Sequence, residues 1–429
     1  MNEAIADGAA DQAATPDFAP VAAKDRIETL DFIRGLAVMG ILAANIVAFG
    51  QPMNAYMWPE AFLTPADDPD GWMWIAQFVL VDGKMRGLFT LLFGAGLYLF
   101  MERTWARGGT RWLQMWRLFI LALFGAIHFF LIWFGDILLY YALIGFLVVP
   151  CLKWSAKSQL WTGLIGYFFG VLFYAAFMSL PYLVADTPMG DEGGPMAEMR
   201  PEMIESQQQQ LDDGNIETAL IQSGDYSGIV AHRMSEHSID PIANTFLFGF
   251  ETLPLMLLGV ALYRFGFFSG GFDQRKMKLW GWIGFIGGAL GHLAIGLFVR
   301  EGGFTFYATL AAFVGWSPLP RIFMVLGIAA LLVAYSPGWT GWLADRVRAA
   351  GRAAFTNYLG TSIVMLFIMH GWALGMFGKL NRPELYLLTF AMWVLMLAWS
   401  KPWLERYRYG PLEWLWRCLT YRKAFPLKR

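Results

Sequence analysis

Apolar residues in this chain come in long, nearly unbroken blocks rather than in the spaced stripes of a soluble amphipathic helix. A helix that crosses hydrocarbon needs about 20 such residues, because no water is there to satisfy an open backbone. Ten blocks meet or approach that length: 33–50, 86–101, 117–134, 137–152, 159–184, 242–263, 279–299, 321–336, 353–377 and 384–400. The run from Leu118 to Pro150 contains only His128 and Asp136 as ionisable groups. As one helix it would extend roughly 50 Å, against about 30 Å of hydrocarbon. It is therefore expected to break at Trp133-Phe134-Gly135-Asp136, with Asp136 capping the second helix. Two further blocks, 72–82 and 304–316, are too short to cross and are rich in Trp or Phe, which suits interfacial or re-entrant pieces on the outer side. The expected fold is all-α, a polytopic transmembrane helix bundle of about ten spans.

Composition strengthens that picture. Of 429 residues, 57% are hydrophobic, 17% aromatic and 15% charged, where a soluble domain carries about 25% charged residues. These values exclude a disordered chain, a basic nucleic-acid-binding protein and a disulfide-stapled module. The lipid bilayer is the expected surrounding, with no nucleic-acid partner. The two cysteines, Cys151 and Cys418, have no metal-ligand spacing. Net charge is −1, from 32 Lys and Arg against 33 Asp and Glu, and this balance hides a strong sorting. Arg103, Arg107, Arg111 and Arg117 fall between the second and third spans, and Lys401 to Arg429 form a basic tail. Of the 32 basic residues, only Lys84, Arg86, Arg200, Arg233, Arg300, Arg321, Lys379 and Arg382 fall on the opposite side. The positive-inside rule then puts both termini of this multi-pass protein in the cytoplasm. Residues 1–25 read as a mobile cytoplasmic tail without a signal peptide. An N-terminal transmembrane half (26–184), an acidic extracytoplasmic loop (185–241), a C-terminal transmembrane half (242–400) and a basic cytoplasmic segment (401–429) follow.

Ionisable groups inside spans are costly, so function is the default hypothesis for them. His128 lies deep in an apolar helix and Asp136 opens the next one. On one continuous helix they would sit about 12 Å apart, whereas a hairpin can bring their layers together. Imidazole suits general-base chemistry near neutral pH, and a carboxylate can orient it. The bland alternative is a packed histidine beside a simple helix cap. Asp31 and Arg34 at i,i+3 open the first span as an ion pair or an anion contact. Asn45, roughly 16 Å further along that helix, offers an amide, or only an interhelical hydrogen bond. Lys84 and Arg86 at the outer mouth of the second span are suited to an anionic substrate group, or simply snorkel. His292 and His370 read as packing residues. His232 and His237 lack a third ligand, so no metal is expected. No Gly-x-Ser-x-Gly, Walker, His-Glu-x-x-His or dinucleotide fingerprint stands where it could work. Glu413 and Arg417, at i,i+4, suggest a structural helical cap.

Several stretches resemble the YeiB-like family, catalogued as domain of unknown function 418. They are Arg26-Ile-Glu-Thr-Leu-Asp31-Phe-Ile-Arg34-Gly35, Gly83-Lys84-Met-Arg86-Gly-Leu-Phe-Thr-Leu-Leu-Phe-Gly94-Ala-Gly96, and His128 with Gly135-Asp136-Ile-Leu. Leu253-Pro254 through Arg264, Gly351-Arg352-Ala-Ala-Phe-Thr356-Asn357-Tyr358-Leu and Tyr409-Gly410-Pro411-Leu-Glu413-Trp414-Leu-Trp416-Arg417 follow. The family is distantly similar to transmembrane acyltransferases of the heparan glucosaminide N-acetyltransferase type, which share the Asp-x-x-Arg-Gly opening and an Asn 11 residues after the Arg, here Asn45. The chain departs from the catalytic pattern of those enzymes: no His occurs between Asn45 and His128.

The resemblance implies transfer of an acyl group to an envelope glycan or a small hydroxyl or amino acceptor. His128, Asp136 and Asn45 are then the candidate catalytic residues. Asp31, Arg34, Lys84, Arg86, Arg352 and Asn357 are the candidates for binding substrate or donor. No cofactor is expected to be held tightly, with acyl-CoA as a candidate donor. A homodimer is compatible with such a bundle. The alternative is a transporter or exporter of a small, anionic solute with a buried His/Asp proton relay.

Overall fold

The computed structural model describes residues 27–64, 71–190 and 194–429. The tail expected over 1–25 lies outside them. Each of the ten apolar blocks contains a helix. In chain order the helices are α1 (Glu28–Gly50), α2 (Trp72–Leu80), α3 (Lys84–Ala106), α4 (Arg111–Ile127), α5 (Leu138–Val148), α6 (Ala156–Ala185), α7 (Pro195–Ser223) and α8 (Tyr226–Ser235). They continue with α9 (Asp240–Arg264), α10 (Gln274–Glu301), α11 (Phe306–Leu310), α12 (Pro318–Tyr335), α13 (Trp342–Arg352), α14 (Ala354–Met369), α15 (Arg382–Arg406) and α16 (Pro411–Tyr421). Among the described residues, seven helical segments are long and apolar enough to cross a membrane, or up to eight if α13 and α14, bent by 83°, form one span. The other two expected spans are α3, 23 residues long, and the shorter apolar helix Leu138–Lys153. The molecule is a polytopic helical membrane bundle.

Burial shows how the bundle is layered. The most apolar window of α1 is 72% buried, against 28% for α6 and 22% for α10. Trp161, Ile165 and Phe168 on α6, and Trp280, Ile283 and Leu290 on α10, are exposed. A contiguous apolar surface of that kind is untenable in water and ordinary against lipid tails. So α1 is the central post, packed on α3, α13, α14 and α15. Two glycines let it be approached closely. A Cβ at Gly35 would collide with the Val347 carbonyl of α13, and one at Gly351 with the Asp31 carbonyl of α1. The α1–α13 crossing is therefore backbone on backbone, as small residues permit, and Arg34 and Arg352, next to those glycines, line the same cavities. The end of the bundle where α1 begins is called the lower end below, and the end where it finishes the upper end.

Two expectations change. The segment 185–241 is not an open loop: α7 and α8 make a helical cap at the upper end. Gly224, in the left-handed region at φ 77°, ends α7, and the Asp225 side chain accepts from the Gly228 N–H to start α8. Low hydropathy hid these helices, which carry few apolar residues and draw their partners from each other and from the bundle. The span expected over 353–377 is also shorter, because α14 ends at Met369 and 370–381 fold back as turns. The two short aromatic pieces meet each other: Trp74 packs edge-on against Phe304 at 5.1 Å and Phe78 lies 5.1 Å from Phe313.

Candidate functional site

The break predicted at 133–136 is real, and its geometry builds the site. α4 runs into one π-helical turn, His128–Ile132, before the chain leaves the helix at Trp133. A π turn widens the helix locally and recurs at functional positions. The chain then reverses and starts α5. Asp136 takes the Leu139 N–H on Oδ2 at 2.7 Å and accepts from His128 Nδ1 on Oδ1 at 2.7 Å. The hairpin thus closes the gap that a straight helix would leave. Side-chain exposure is 0% for His128 and 1% for Asp136. An ionised carboxylate can only accept, so the Nδ1 proton faces Asp136 and Nε2 is the ring atom turned away from it. That Nε2 has no hydrogen-bond partner. The ring packs 5.2 Å from Tyr358, whose hydroxyl accepts from the Ile137 N–H at 3.2 Å.

Below this pair lies a cavity of 260 Å³, whose walls include Arg34, Val38, Ile41, Arg117, Arg352, Tyr358 and Ile137. Its walls are mostly apolar along the bundle axis and turn basic at the lower end. It adjoins a second cavity of 310 Å³, sharing Arg34, Arg117, Arg352, Glu413 and Trp416, to which Arg103, Arg107 and Arg417 are added. An apolar channel thus leads from an arginine-rich vestibule to Tyr358 and Ile137, the immediate neighbours of His128 and Asp136. Arg117 is held between Phe100 and Trp416 at 4.5 and 4.2 Å, so its guanidinium is oriented by stacking.

Asn45 lies further along α1 and is not among the residues that line either cavity. Arg34, Val38 and Ile41 of α1 line the cavity, and Asn45 and Phe49 continue that stripe at helical spacing. Phe49 stacks on Trp133 at 4.0 Å, so the stripe runs from the vestibule to the break. Asp31 pairs with Arg34 at 2.8 Å and faces a separate basic-acidic pocket with Arg348 and Lys401.

Three candidates sit elsewhere. Asn357 donates to the Ala350 carbonyl (3.0 Å) and Ser400 (3.2 Å) and accepts from the Trp399 indole (2.8 Å), which ties α13, α14 and α15 together away from both cavities. Lys84 is fully buried, not at an outer mouth, and its ammonium donates to the Phe78 carbonyl. Arg86 is paired at 2.8 Å with Glu251 of α9, which also holds Arg321 of α12 at 2.8 Å. This triad was invisible as a unit because its members come from three distant helices. Glu251 carried a signal nonetheless, as a carboxylate inside an apolar span.

Glu413 is structural, as expected, but with a different partner. It accepts from the Phe355 and Thr356 N–H groups at 2.8 and 3.1 Å and from the Thr356 hydroxyl, capping α14. Burial pushes its carboxyl above the usual range, opposed by the bonds from Thr356 and Phe355. Arg417 instead faces Tyr409, Phe425 and Tyr421. Sequence reasoning also missed Arg117 and Tyr358 as site residues. Arg117 had been counted only as loop charge, although it opens an apolar span. His292 is a packing residue, with Nδ1 2.8 Å from the Gly288 carbonyl.

Comparison with known proteins adds family context. Residues 262–423 match the family described as "Protein of unknown function (DUF418)". The chain is 32% identical over 420 residues to the uncharacterized protein YeiB of Escherichia coli K12, covering 94% of this chain and 98% of that one. It is 30% identical over 438 residues to the uncharacterized protein YxaH of Bacillus subtilis 168, covering 96% and 98%. No solved structure matches it.

Proposed function

We propose, from the premise that this chain belongs to the YeiB-like (DUF418) family, that it is a transmembrane acyltransferase of the bacterial inner membrane. The observation that carries this reading is the channel from the arginine vestibule to the wall of the His128–Asp136 pair. The vestibule suits phosphate or pyrophosphate, which guanidinium groups bind with fork geometry. Its apolar continuation suits an acyl or pantetheine-like arm. Acyl-CoA fits both halves and, with both termini and the vestibule in the cytoplasm, is the donor on the side where it is made.

In the reaction, His128 Nε2 takes the proton of an acceptor hydroxyl or amine as that group attacks the thioester carbonyl. The new C–O or C–N bond forms, the C–S bond breaks, and the thiolate leaves with the proton returned from His128. Asp136 holds the tautomer and stabilises the imidazolium, and the Asn45 amide is the candidate donor to the developing oxyanion. His128 is fully covered, so Tyr358 must rotate for the reacting carbonyl to reach it. The acceptor, an envelope glycan or small molecule, enters from the upper side.

The transporter reading draws on the buried Arg86–Glu251–Arg321 triad, which relates it to a charge-lined path. The two readings separate in one experiment. Purified protein in detergent or nanodiscs, given acyl-CoA labelled in the acyl group, should release CoA and label an acceptor pool extracted from the envelope, and His128→Ala should abolish this. Label transfer retained in His128→Ala, or no transfer by wild type alongside solute flux in proteoliposomes, would overturn the assignment.

A further inference from the structure

The cap brings together three groups that their sequence spacing does not flag. His232 lies on α8, His237 in the turn before α9, and Asp213 on α7. His232 Nε2 is 3.0 Å from Asp213 Oδ1, and His237 Nε2 is 3.2 Å from Asp213 Oδ2. One ligand atom from each of the three residues falls within 4.8 Å of the others. This supplies the third ligand that the sequence lacked when two histidines alone argued against a metal.

Two details distinguish this cluster from an ordinary pair of imidazoles sharing a carboxylate. First, despite those short separations, neither Nε2 meets hydrogen-bond geometry and both atoms are buried; the imidazoles are 11% and 15% exposed. The nitrogens converge on a common point without being satisfied by one another. Second, His237 is anchored from behind, since its Nδ1 lies 2.8 Å from Asp240 Oδ2. A carboxylate on one ring nitrogen fixes the proton there and leaves the other as a lone pair, the usual support of a metal-ligating histidine. In a tetrahedral site with bonds of about 2.0–2.1 Å, neighbouring ligand atoms lie about 3.3 Å apart. The two imidazoles stand at 3.0 and 3.2 Å from the two oxygens of one carboxylate, and all three ligand atoms lie within 4.8 Å of one another, a spacing that side-chain rotation can close around an ion. Arg233, on the same helix, is committed to Glu217 at 2.8 Å.

We propose that Asp213, His232 and His237 bind one divalent transition-metal ion of the zinc class, with Asp240 orienting His237. Two imidazoles and one carboxylate suit zinc and disfavour calcium and magnesium, which take oxygen ligands. Three protein ligands leave a fourth position for water. Bound there, the ion ties α7 to α8 and to the start of α9. It also sits beside the break, where the Phe134 ring lies 5.4 Å from His237. The site does not depend on the acyl-transfer reading.

The test uses the full-length protein in detergent, stripped with a chelator and titrated with zinc chloride alone, with bound metal counted by mass spectrometry. The expected result is one zinc per chain with sub-micromolar affinity, a higher unfolding temperature with zinc, and no competition from calcium or magnesium. His232→Ala/His237→Ala should lose the bound zinc and the thermal shift. Asp240→Asn should keep the stoichiometry with affinity weakened roughly 10–100-fold. Asp213→Asn leaves both imidazoles in place and should also lose sub-micromolar binding, which decides the matter should the double variant not fold. Wild type that fails to bind zinc at micromolar concentration, or either ligand variant that keeps the full stoichiometry and affinity, would overturn the site.

Discussion

At the scale of single residues, the molecule turns on a few buried ionisable groups whose partners decide what they can do. His128 is oriented by Asp136 but has one ring nitrogen without a hydrogen-bond partner, the geometry that the proposed general-base role needs. Asp136→Asn should keep the fold and lower the acyl-transfer kcat by about 100-fold or more, the size expected for disabled general-base catalysis; steady-state kinetics on the purified variant check it, with the donor KM little changed. Glu251 behaves differently, because both Arg86 and Arg321 depend on it. Glu251→Ala leaves two buried guanidinium groups uncompensated and should cost about 3–5 kcal/mol, read as a large drop in the thermal midpoint in detergent. The histidine pair was legible in the sequence because each residue interrupts an apolar run. The triad was only half legible: Arg86 was singled out, while its partner lies 165 positions away in sequence.

At the scale of elements, chain breaks and close crossings do the positioning. The break at 133–136 was expected from length alone, since no single helix of that extent fits a bilayer, whereas the π turn at His128–Ile132 was not. The crossing of α1 and α13 was not expected, although its glycines stand in the motifs around Asp31 and Arg352. Gly351→Val would drive a side chain into the Asp31 carbonyl. It should destabilise the protein by about 1–3 kcal/mol, as overpacking does, and weaken donor binding by separating Arg34 from Arg352. A matched control is Gly360, where an added Cβ meets nothing within 4 Å; Gly360→Ala should leave both the thermal midpoint and donor affinity near wild type.

At the scale of the whole molecule, the two ends differ in chemistry. Arginines gather around the lower vestibule, and an acid-rich helical cap covers the upper end. If the lower end is cytoplasmic, Gln208→Cys, on the exposed surface of α7, should react with an impermeant maleimide added outside spheroplasts, in a background lacking Cys151 and Cys418. Labelling only after the membrane is opened would reverse the orientation.

Sequence alone determined the helical membrane class, the positions of the ten apolar helices and the break at Asp136. These follow from contiguous hydrophobicity and from the need of every backbone group in hydrocarbon to bond within its own helix, both properties of neighbouring residues. Tertiary structure alone decided that Glu251 joins Arg86 to Arg321, that Asp213 meets His232 and His237, and that Arg34, Arg117 and Arg352 surround one vestibule. Those meetings depend on how far each helix is rotated about its axis and where it crosses another. Such angles are set by packing between segments far apart in the chain, and no local pattern encodes them.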